Sequence, residues 1–152
     1  MRTQPPVAVS NSPDEVEMAL YEALQRGDIE ALMAVWADDD DIVCVHPGGG
    51  RVVGAAAIRS SFEAIFGNGG IPVKVEQVHR LEYPDSALHH LVESVTVAGA
   101  DGPQLAWVIA TNFYVKTVRG WRLASHHASP GSLQRQGPVP ATTGGERPST
   151  LH

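Results

Sequence analysis

Histidines are the side chains of this chain best suited to moving protons near neutral pH. His46 precedes Pro47 and a run of three glycines, while His126-His127 lies close to the end of the last patterned segment. An imidazole has an ordinary pKa close to physiological pH, so it can accept and return a proton. We predict that His46 is the general base of a site. The alternative is a turn histidine whose ring bonds a neighbouring carbonyl.

The doublet His126-His127 can supply only one side chain to such a site, because adjacent residues of a strand point to opposite faces. Trp121 and Leu123 are apolar and share parity with His127. We therefore predict that His127 points inward as a polar partner or acid, and that His126 faces solvent or another subunit. A register slip of one residue would exchange the two faces. The alternative for both is a polar strand end with satisfied side chains.

Four consecutive aspartates, Asp38 to Asp41, precede the segment that leads to His46. A solvated turn is the simplest interpretation, because burial of clustered carboxylates would raise at least one pKa sharply. Asp40 or Asp41 can still orient His46 as the second member of a dyad. Asp41 is therefore included among the predicted catalytic residues.

The seven histidines do not form a metal-binding pattern. His89-His90 and His126-His127 are neighbours on predicted strands and diverge, and the helical or Cys/His spacings typical of zinc ligands are missing. The glycines after Pro47 have no phosphate-binding motif around them. We predict neither a metal nor a cofactor.

The composition is that of a single globular domain of 152 residues, 43% hydrophobic and 18% charged. A net charge of −6 with 11 scattered basic residues argues against nucleic-acid binding. The single cysteine, Cys44, indicates a reducing compartment. Neither a signal peptide nor a membrane span is apparent, so we expect a cytoplasmic protein without membrane contact.

Three helices must position the first candidate residues. Ser12 is a capping residue that starts the first helix, and Gly27 ends it. Asp28 caps the second helix, and Gly54 precedes the third. Apolar residues at helical spacing give each helix one buried face, so the first helix should turn its glutamates, including Glu17, outward.

From Ile71 the pattern becomes extended, with long segments separated by tight turns, which is typical of antiparallel strands. This order predicts an α+β fold, with three N-terminal helices packed on one face of a curved, mostly antiparallel sheet. The apolar run Leu105–Ala110 indicates that a second subunit covers the other face, giving a homodimer. The predicted ligand-binding side chains come from the helices and the long strand: Tyr21, Trp36, Trp107, Thr111 and Phe113.

The two ends of the chain lack this patterning. Residues 1–12 contain paired prolines, and residues 129–152 are rich in Pro and Gly with few large apolar side chains. We expect a flexible arm over residues 1–12, a folded domain over 13–128 and a flexible tail over 129–152.

Four segments resemble the nuclear transport factor 2-like superfamily, in the SnoaL-like group that is related to the ketosteroid isomerases. They are Leu24–Asp28, Trp36–Asp39, Gly54–Arg59 and Gly120–Leu123 with the following His126-His127, within about residues 13 to 128. The resemblance implies a cystatin-like, cone-shaped fold. It leaves the activity open, because this scaffold hosts isomerases, cyclases, dehydratases, epoxide hydrolases and proteins without chemistry.

By this resemblance, His46-Pro47 occupies the place where ketosteroid isomerases carry a carboxylate base followed by proline. Their oxyanion-binding tyrosine falls here on Leu20, next to Tyr21. Their protonated aspartate falls on Thr111 or Asn112. Neither match is an acid, which argues against steroid isomerisation by that mechanism. Thr111 or Asn112 is instead a candidate donor to a substrate oxygen.

These observations predict a small hydrophobic molecule in a mostly apolar pocket, with cofactor-independent chemistry of isomerase, cyclase or lyase/hydrolase type at His46. One alternative is a ligand-binding module without chemistry. Another is a dimeric association module that assembles through the sheet face in the manner of kinase association domains.

Overall fold

The computed structural model of the protein describes residues 10–131, which form three α-helices and a six-stranded sheet. Residues 1–9 of the predicted arm and 132–152 of the predicted tail lie outside the described residues. Within this part of the chain, no helix is both long and apolar enough to cross a bilayer. The elements are α1 (Pro13–Arg26), α2 (Ile29–Ala34), β1 (Val43–Val45), β2 (Arg51–Val53), α3 (Ala55–Ile65), a 3-10 turn (Phe66–Asn68), β3 (Val73–Glu82), β4 (Ser86–Gly99), β5 (Gly102–Thr117) and β6 (Gly120–Gly131).

The first helix begins and ends, and the second helix begins, as the sequence predicts. The side chains of Ser12 and Asp28 each accept a hydrogen bond from the backbone N–H three residues later, at 3.2 and 3.1 Å. Gly27 ends α1 with φ +66°, a conformation that residues with side chains rarely adopt. A Cβ on Gly27 would lie 2.9 Å from Gly70 N, so this turn also needs glycine where two backbone segments meet.

The sheet has the strand order β2-β1-β6-β5-β4-β3. Strands β3 to β6 follow one another as antiparallel neighbours. At the other end β6 pairs in parallel with β1, and β1 pairs antiparallel with β2. A curved, mostly antiparallel sheet with helices on one face confirms the predicted α+β architecture.

The side of the sheet that the helices cover is here called the inner face, and the opposite side the outer face. On β5, alternate residues from Val108 to Tyr114 are buried, whereas those between them are only partly buried. Removal of apolar surface from water, at about 25 cal/mol per Å², makes this inner layer the main source of stability. Its largest fully buried apolar side chains are Leu20, Leu32, Ile42, Ile58 and Leu123.

A β-bulge in β6 reverses the expected orientation of the two adjacent histidines. The bulge lies opposite Phe113 and Tyr114, where Ala124 is the extra residue of β6. The prediction that His127 points inward is wrong, because its parity was counted through this extra residue. His126 is on the inner face with 7% exposure, and His127 is exposed on the outer face.

The predicted ligand-binding side chains of β5 lie on the outer face as well. Trp107, Thr111 and Phe113 do share one side of β5, as their spacing indicates, but the intervening residues are the ones buried beneath the helices. Glu17 was predicted to face outward and is instead 7% exposed, because it accepts hydrogen bonds from buried side chains of the sheet.

Candidate functional site

His46 follows β1 and reaches the inner side of the sheet. Cys44, two residues earlier, is fully buried, and its Sγ lies 4.0 Å from His46 Nε2. The imidazole packs edge-on against Phe62 of α3, with ring centroids 4.8 Å apart. Partial burial lowers the pKa of His46 from its ordinary 6.5, since burial disfavours the charged ring. The ring is therefore neutral at neutral pH and can accept a proton.

Ser61 of α3 determines which nitrogen of His46 carries the hydrogen. The Ser61 hydroxyl donates to the carbonyl of Ile58 at 2.8 Å, and this uses its only hydrogen. The same oxygen lies 3.0 Å from His46 Nε2, so it must accept the Nε2–H. The lone pair of the neutral ring then resides on Nδ1. Nδ1 is consequently the atom of His46 that can act as a base.

Asp41 does not occupy the place predicted for it. It is exposed, and its backbone N–H donates to the Asp39 carboxylate at 2.8 Å within the turn before β1. Among the described residues, the hydrogen-bond partner of the His46 ring is Ser61. Ser61 on α3 thus holds the His46 ring, the role predicted for Asp41. Asp39 and Asp41 instead form a hydrogen bond within their own turn.

A chain of hydrogen bonds crosses the inner face beside His46. It begins at His126, which pairs with Cys44 across the parallel β1–β6 junction. The His126 Nδ1 donates to Asn112 Oδ1 at 2.5 Å, and Asn112 Nδ2 donates to the Tyr21 hydroxyl at 3.2 Å. Tyr21 in turn donates to Glu93 Oε2 at 2.5 Å. These four side chains are hereafter called the inner network.

Burial displaces the protonation equilibria of the inner network toward neutral forms. The pKa of Glu93 is raised from 4.5 to about 7, chiefly by desolvation, against the opposing effect of the Tyr21 hydrogen bond. The pKa of His126 is lowered from 6.5 to about 4, again chiefly by desolvation and secondarily by His46 and His127. At neutral pH, His126 is therefore uncharged and Glu93 is balanced between its acid and its carboxylate.

A second buried cluster, around Glu17, lies on the same face. Glu17 Oε1 accepts hydrogen bonds from His89 Nδ1 at 2.8 Å and from the Tyr114 hydroxyl at 3.0 Å. Asp14, Glu17 and His89 each offer one atom of the kind that binds metal ions, and these atoms lie within 4.8 Å of one another. Arg80 Nε lies 2.8 Å from Asp14 Oδ1 and already supplies a cation there. We interpret this cluster as a structural link between α1 and the sheet.

Other predicted ligand-binding residues lie away from His46. Trp36 is 5% exposed and lines two surface grooves of about 410 and 400 Å³. Thr111, Phe113 and His127 together line a groove of about 570 Å³ on the outer face, the face that also carries Trp107. Of the predicted site residues, Tyr21 and the alternative donor Asn112 do lie with His46 on the inner face.

Ser61 and Glu93 are absent from the predicted set, although the sequence contains a signal for each. Ser61 falls three residues after Ile58 and one before Phe62, on the buried stripe of α3. Glu93 occupies an alternate, inward position of the apolar segment Leu91–Val95. A polar side chain on an otherwise buried stripe must find an internal partner, and both of these residues do.

Comparisons with known proteins agree with the fold. The sequence model of the SnoaL-like domain matches residues 15–132. A search of curated proteins gives no match. A solved structure from Thiobacillus denitrificans, described as a calcium/calmodulin-dependent protein kinase type II association domain, is 32% identical with a TM-score of 0.74, over 82% of this chain and 99% of that chain.

Two further structures resemble the chain. A protein from Streptomyces avermitilis, described as a dehydratase of the nuclear transport factor 2-like family, is 32% identical with a TM-score of 0.68, over 76% of this chain and 91% of that chain. A ketosteroid isomerase-like protein from Erwinia carotovora atroseptica is 20% identical with a TM-score of 0.64, over 79% and 94% of the two chains, and shares the fold.

Proposed function

Because this chain belongs to the SnoaL-like domain family of the nuclear transport factor 2-like superfamily, as its sequence predicted, we propose that it catalyses cofactor-independent acid–base chemistry on a small hydrophobic carbonyl compound at the inner face. The reaction is of the isomerase, cyclase or lyase/hydrolase type. The supporting observation is the inner network beside His46, whose Glu93 and His126 have strongly displaced pKa values. Buried ionisable groups lower stability unless well paired, and displaced pKa values concentrate at functional sites.

Each residue has a role in this proposal. His46 Nδ1 takes a proton from a carbon next to the substrate carbonyl and returns it to another atom, with Ser61 holding the ring in position. The Asn112 amide, whose Nδ2 carries a second hydrogen beyond the one given to Tyr21, supplies a hydrogen bond to the carbonyl oxygen as charge develops on it. We place the protein in the cytoplasm, because Cys44 is a free, buried thiol.

The first test asks whether His46 is needed for proton transfer. Native mass spectrometry and denaturing extraction identify any hydrophobic molecule that purifies with the protein. Exchange of α-protons in D₂O is then measured by NMR for a panel of cyclic ketones. We expect exchange above the buffer rate for the wild type, reduced by about 100-fold or more in His46→Ala, the usual contribution of a general base.

The matched control for this test is Met18→Ala, since Met18 is 70% exposed on α1 and far from any proposed role. It should exchange like the wild type. Exchange that survives in His46→Ala would show that another group is the base. Saturable binding of a ketone without any exchange would favour the ligand-binding module.

A second function, association through the outer face, has its own supporting observation. The face that presents Trp107, Ile109 and Phe113 has no helix over it in the described part of the chain. Aromatic and aliphatic side chains are typical of the centre of a homodimer interface. The Thiobacillus denitrificans structure, described as an association domain, makes a second copy of this chain the expected occupant. We propose a homodimer through this face, compatible with catalysis on the other.

A further inference from the structure

A row of histidines runs straight across the outer face. His79 on β3 pairs with His90 on β4, and His90 pairs with Thr111 on β5. Thr111 pairs with His127 on β6, which the bulge has turned outward. Residues paired in this way point to the same side of a sheet. All three imidazoles are exposed in the single chain. These three histidines are hereafter called the histidine row.

The histidine row lies within a continuous groove. One groove of about 580 Å³ contains His79 and His90, and the neighbouring groove of about 570 Å³ contains His90 and His127. The two share His90 and Ile109, so they form one surface. The other residues that line it are apolar, hydroxyl or amide side chains, and none is Asp, Glu, Lys or Arg. The histidines are thus the ionisable groups of this surface.

The charged residues elsewhere on the outer face do not offset a positive charge on the row. Strand pairing places Arg51, Lys74 and Arg122 on this face, and Glu76, in a bulge of β3, reaches it beside Ser94. Glu76 is the single carboxylate among them, and it accepts a hydrogen bond from Ser94 at 2.8 Å. The outer face therefore already carries more positive than negative charge when the imidazoles are neutral, and protonation of the histidine row makes it strongly positive.

We propose that the outer face forms a homodimer whose stability is set by the protonation of the histidine row, so that the dimer dissociates on mild acidification. This inference rests on the association proposed above. A two-fold interface presents the same patch twice, so six imidazoles meet in one dimer. Imidazole is the side chain that changes charge between pH 5 and 8. Juxtaposed like charges in an interface cost several kcal/mol, enough to reverse association.

The test measures the dimer dissociation constant of the full chain by sedimentation at about pH 8 and about pH 5.5, on either side of imidazole titration. For the wild type we expect the constant to increase by about 10-fold or more at the lower pH. In the triple variant His79→Gln, His90→Gln and His127→Gln, we expect the same constant at both values. Single variants at each position, expected to show part of the effect, replace the triple variant if circular dichroism shows that it does not fold.

Thr111→Lys separates failure of the switch from failure of the interface. It places a permanent charge at the centre of the row and should give a monomer at about pH 8, whereas Met18→Lys, at an exposed position of α1, should remain dimeric. A Thr111→Lys dimer, or a wild-type monomer at both pH values, would overturn the association and the switch together. Two results would contradict only the control of the dimer by histidine protonation. One is that Thr111→Lys dissociates while the wild-type dimer is insensitive to pH. The other is that the histidine variants dissociate at low pH as the wild type does.

Discussion

Glu93 and His126, at the two ends of the inner network, should influence stability in opposite directions as pH changes. The folded state raises the Glu93 pKa from 4.5 to about 7, so between these values it holds a proton that the unfolded chain releases. Stability from Glu93 is therefore present at low pH and lost as pH rises to about 7. The folded state lowers the His126 pKa from 6.5 to about 4, so there the unfolded chain holds the extra proton. Stability linked to His126 is therefore lost as pH falls.

The effects of Glu93 and His126 on stability are similar in size and act over overlapping pH ranges. At about 1.4 kcal/mol per pH unit, each displacement corresponds to about 3 kcal/mol. In the wild type they largely cancel between pH 4.5 and 6.5, the interval common to both. Glu93→Gln removes one effect and keeps an oxygen that can accept the hydrogen bond of Tyr21. The variant should then become more stable relative to the wild type as pH rises, by about 3 kcal/mol in total from pH 4.5 to 7.

Urea unfolding followed by circular dichroism, in steps from about pH 4.5 to about pH 7.5, measures this difference directly. Groups common to both proteins drop out when the two free energies of unfolding are subtracted. Met18→Leu is the control, because Met18 is exposed on α1 and has no ionisable group, so its difference from the wild type should not vary with pH. A Glu93→Gln difference that is constant with pH, or that falls as pH rises, would refute a buried Glu93 with a raised pKa.

Two further substitutions test the geometry around the site and the fold. Ser61→Ala should release the His46 ring from its Nε2–H tautomer, seen as a change in the ¹⁵N shifts of that ring, while Ser60→Ala on the exposed side of α3 should leave them unchanged. Equal ¹⁵N shifts in both variants would contradict the assigned role of Ser61. Gly27→Ala should lower the free energy of unfolding by about 1 to 3 kcal/mol. The new side chain would require a residue other than glycine to adopt φ +66°, and its Cβ would also press against the backbone of Gly70. A thermal unfolding midpoint unchanged from the wild type would show that this turn relaxes without cost.

Local chemistry explains why the helical half of the fold was predictable from sequence. The capping of α1 by Ser12 and of α2 by Asp28 depends on residues three positions apart. The left-handed turn at Gly27 depends on one residue type. Such signals lie within one turn of helix, so they can be read before any tertiary contact is known.

The site was less predictable, because its residues meet through long-range pairing. One extra residue, Ala124, exchanged the faces of His126 and His127 and moved the expected acid to the outer side. The helical pattern predicts that Glu17 faces solvent, whereas it is buried by partners that are more than 70 residues away in sequence, His89 and Tyr114. The apolar pattern along one strand or helix predicts neither where a bulge lies nor which distant residue will be a partner.

The parallel junction between β1 and β6 has a consequence for how the protein is made. Cys44 and His126 are neighbours in space, yet β6 leaves the ribosome after every other strand of residues 10–131. Backbone hydrogen bonds between Leu123 and the Val35–Ala37 segment join the same two distant regions. Contacts between such distant segments close large loops and slow folding. The apolar sides of the nascent helices therefore stay uncovered until almost the whole domain has been synthesised. A chain that ended before β6 would lack the strand that brings His126 beside His46.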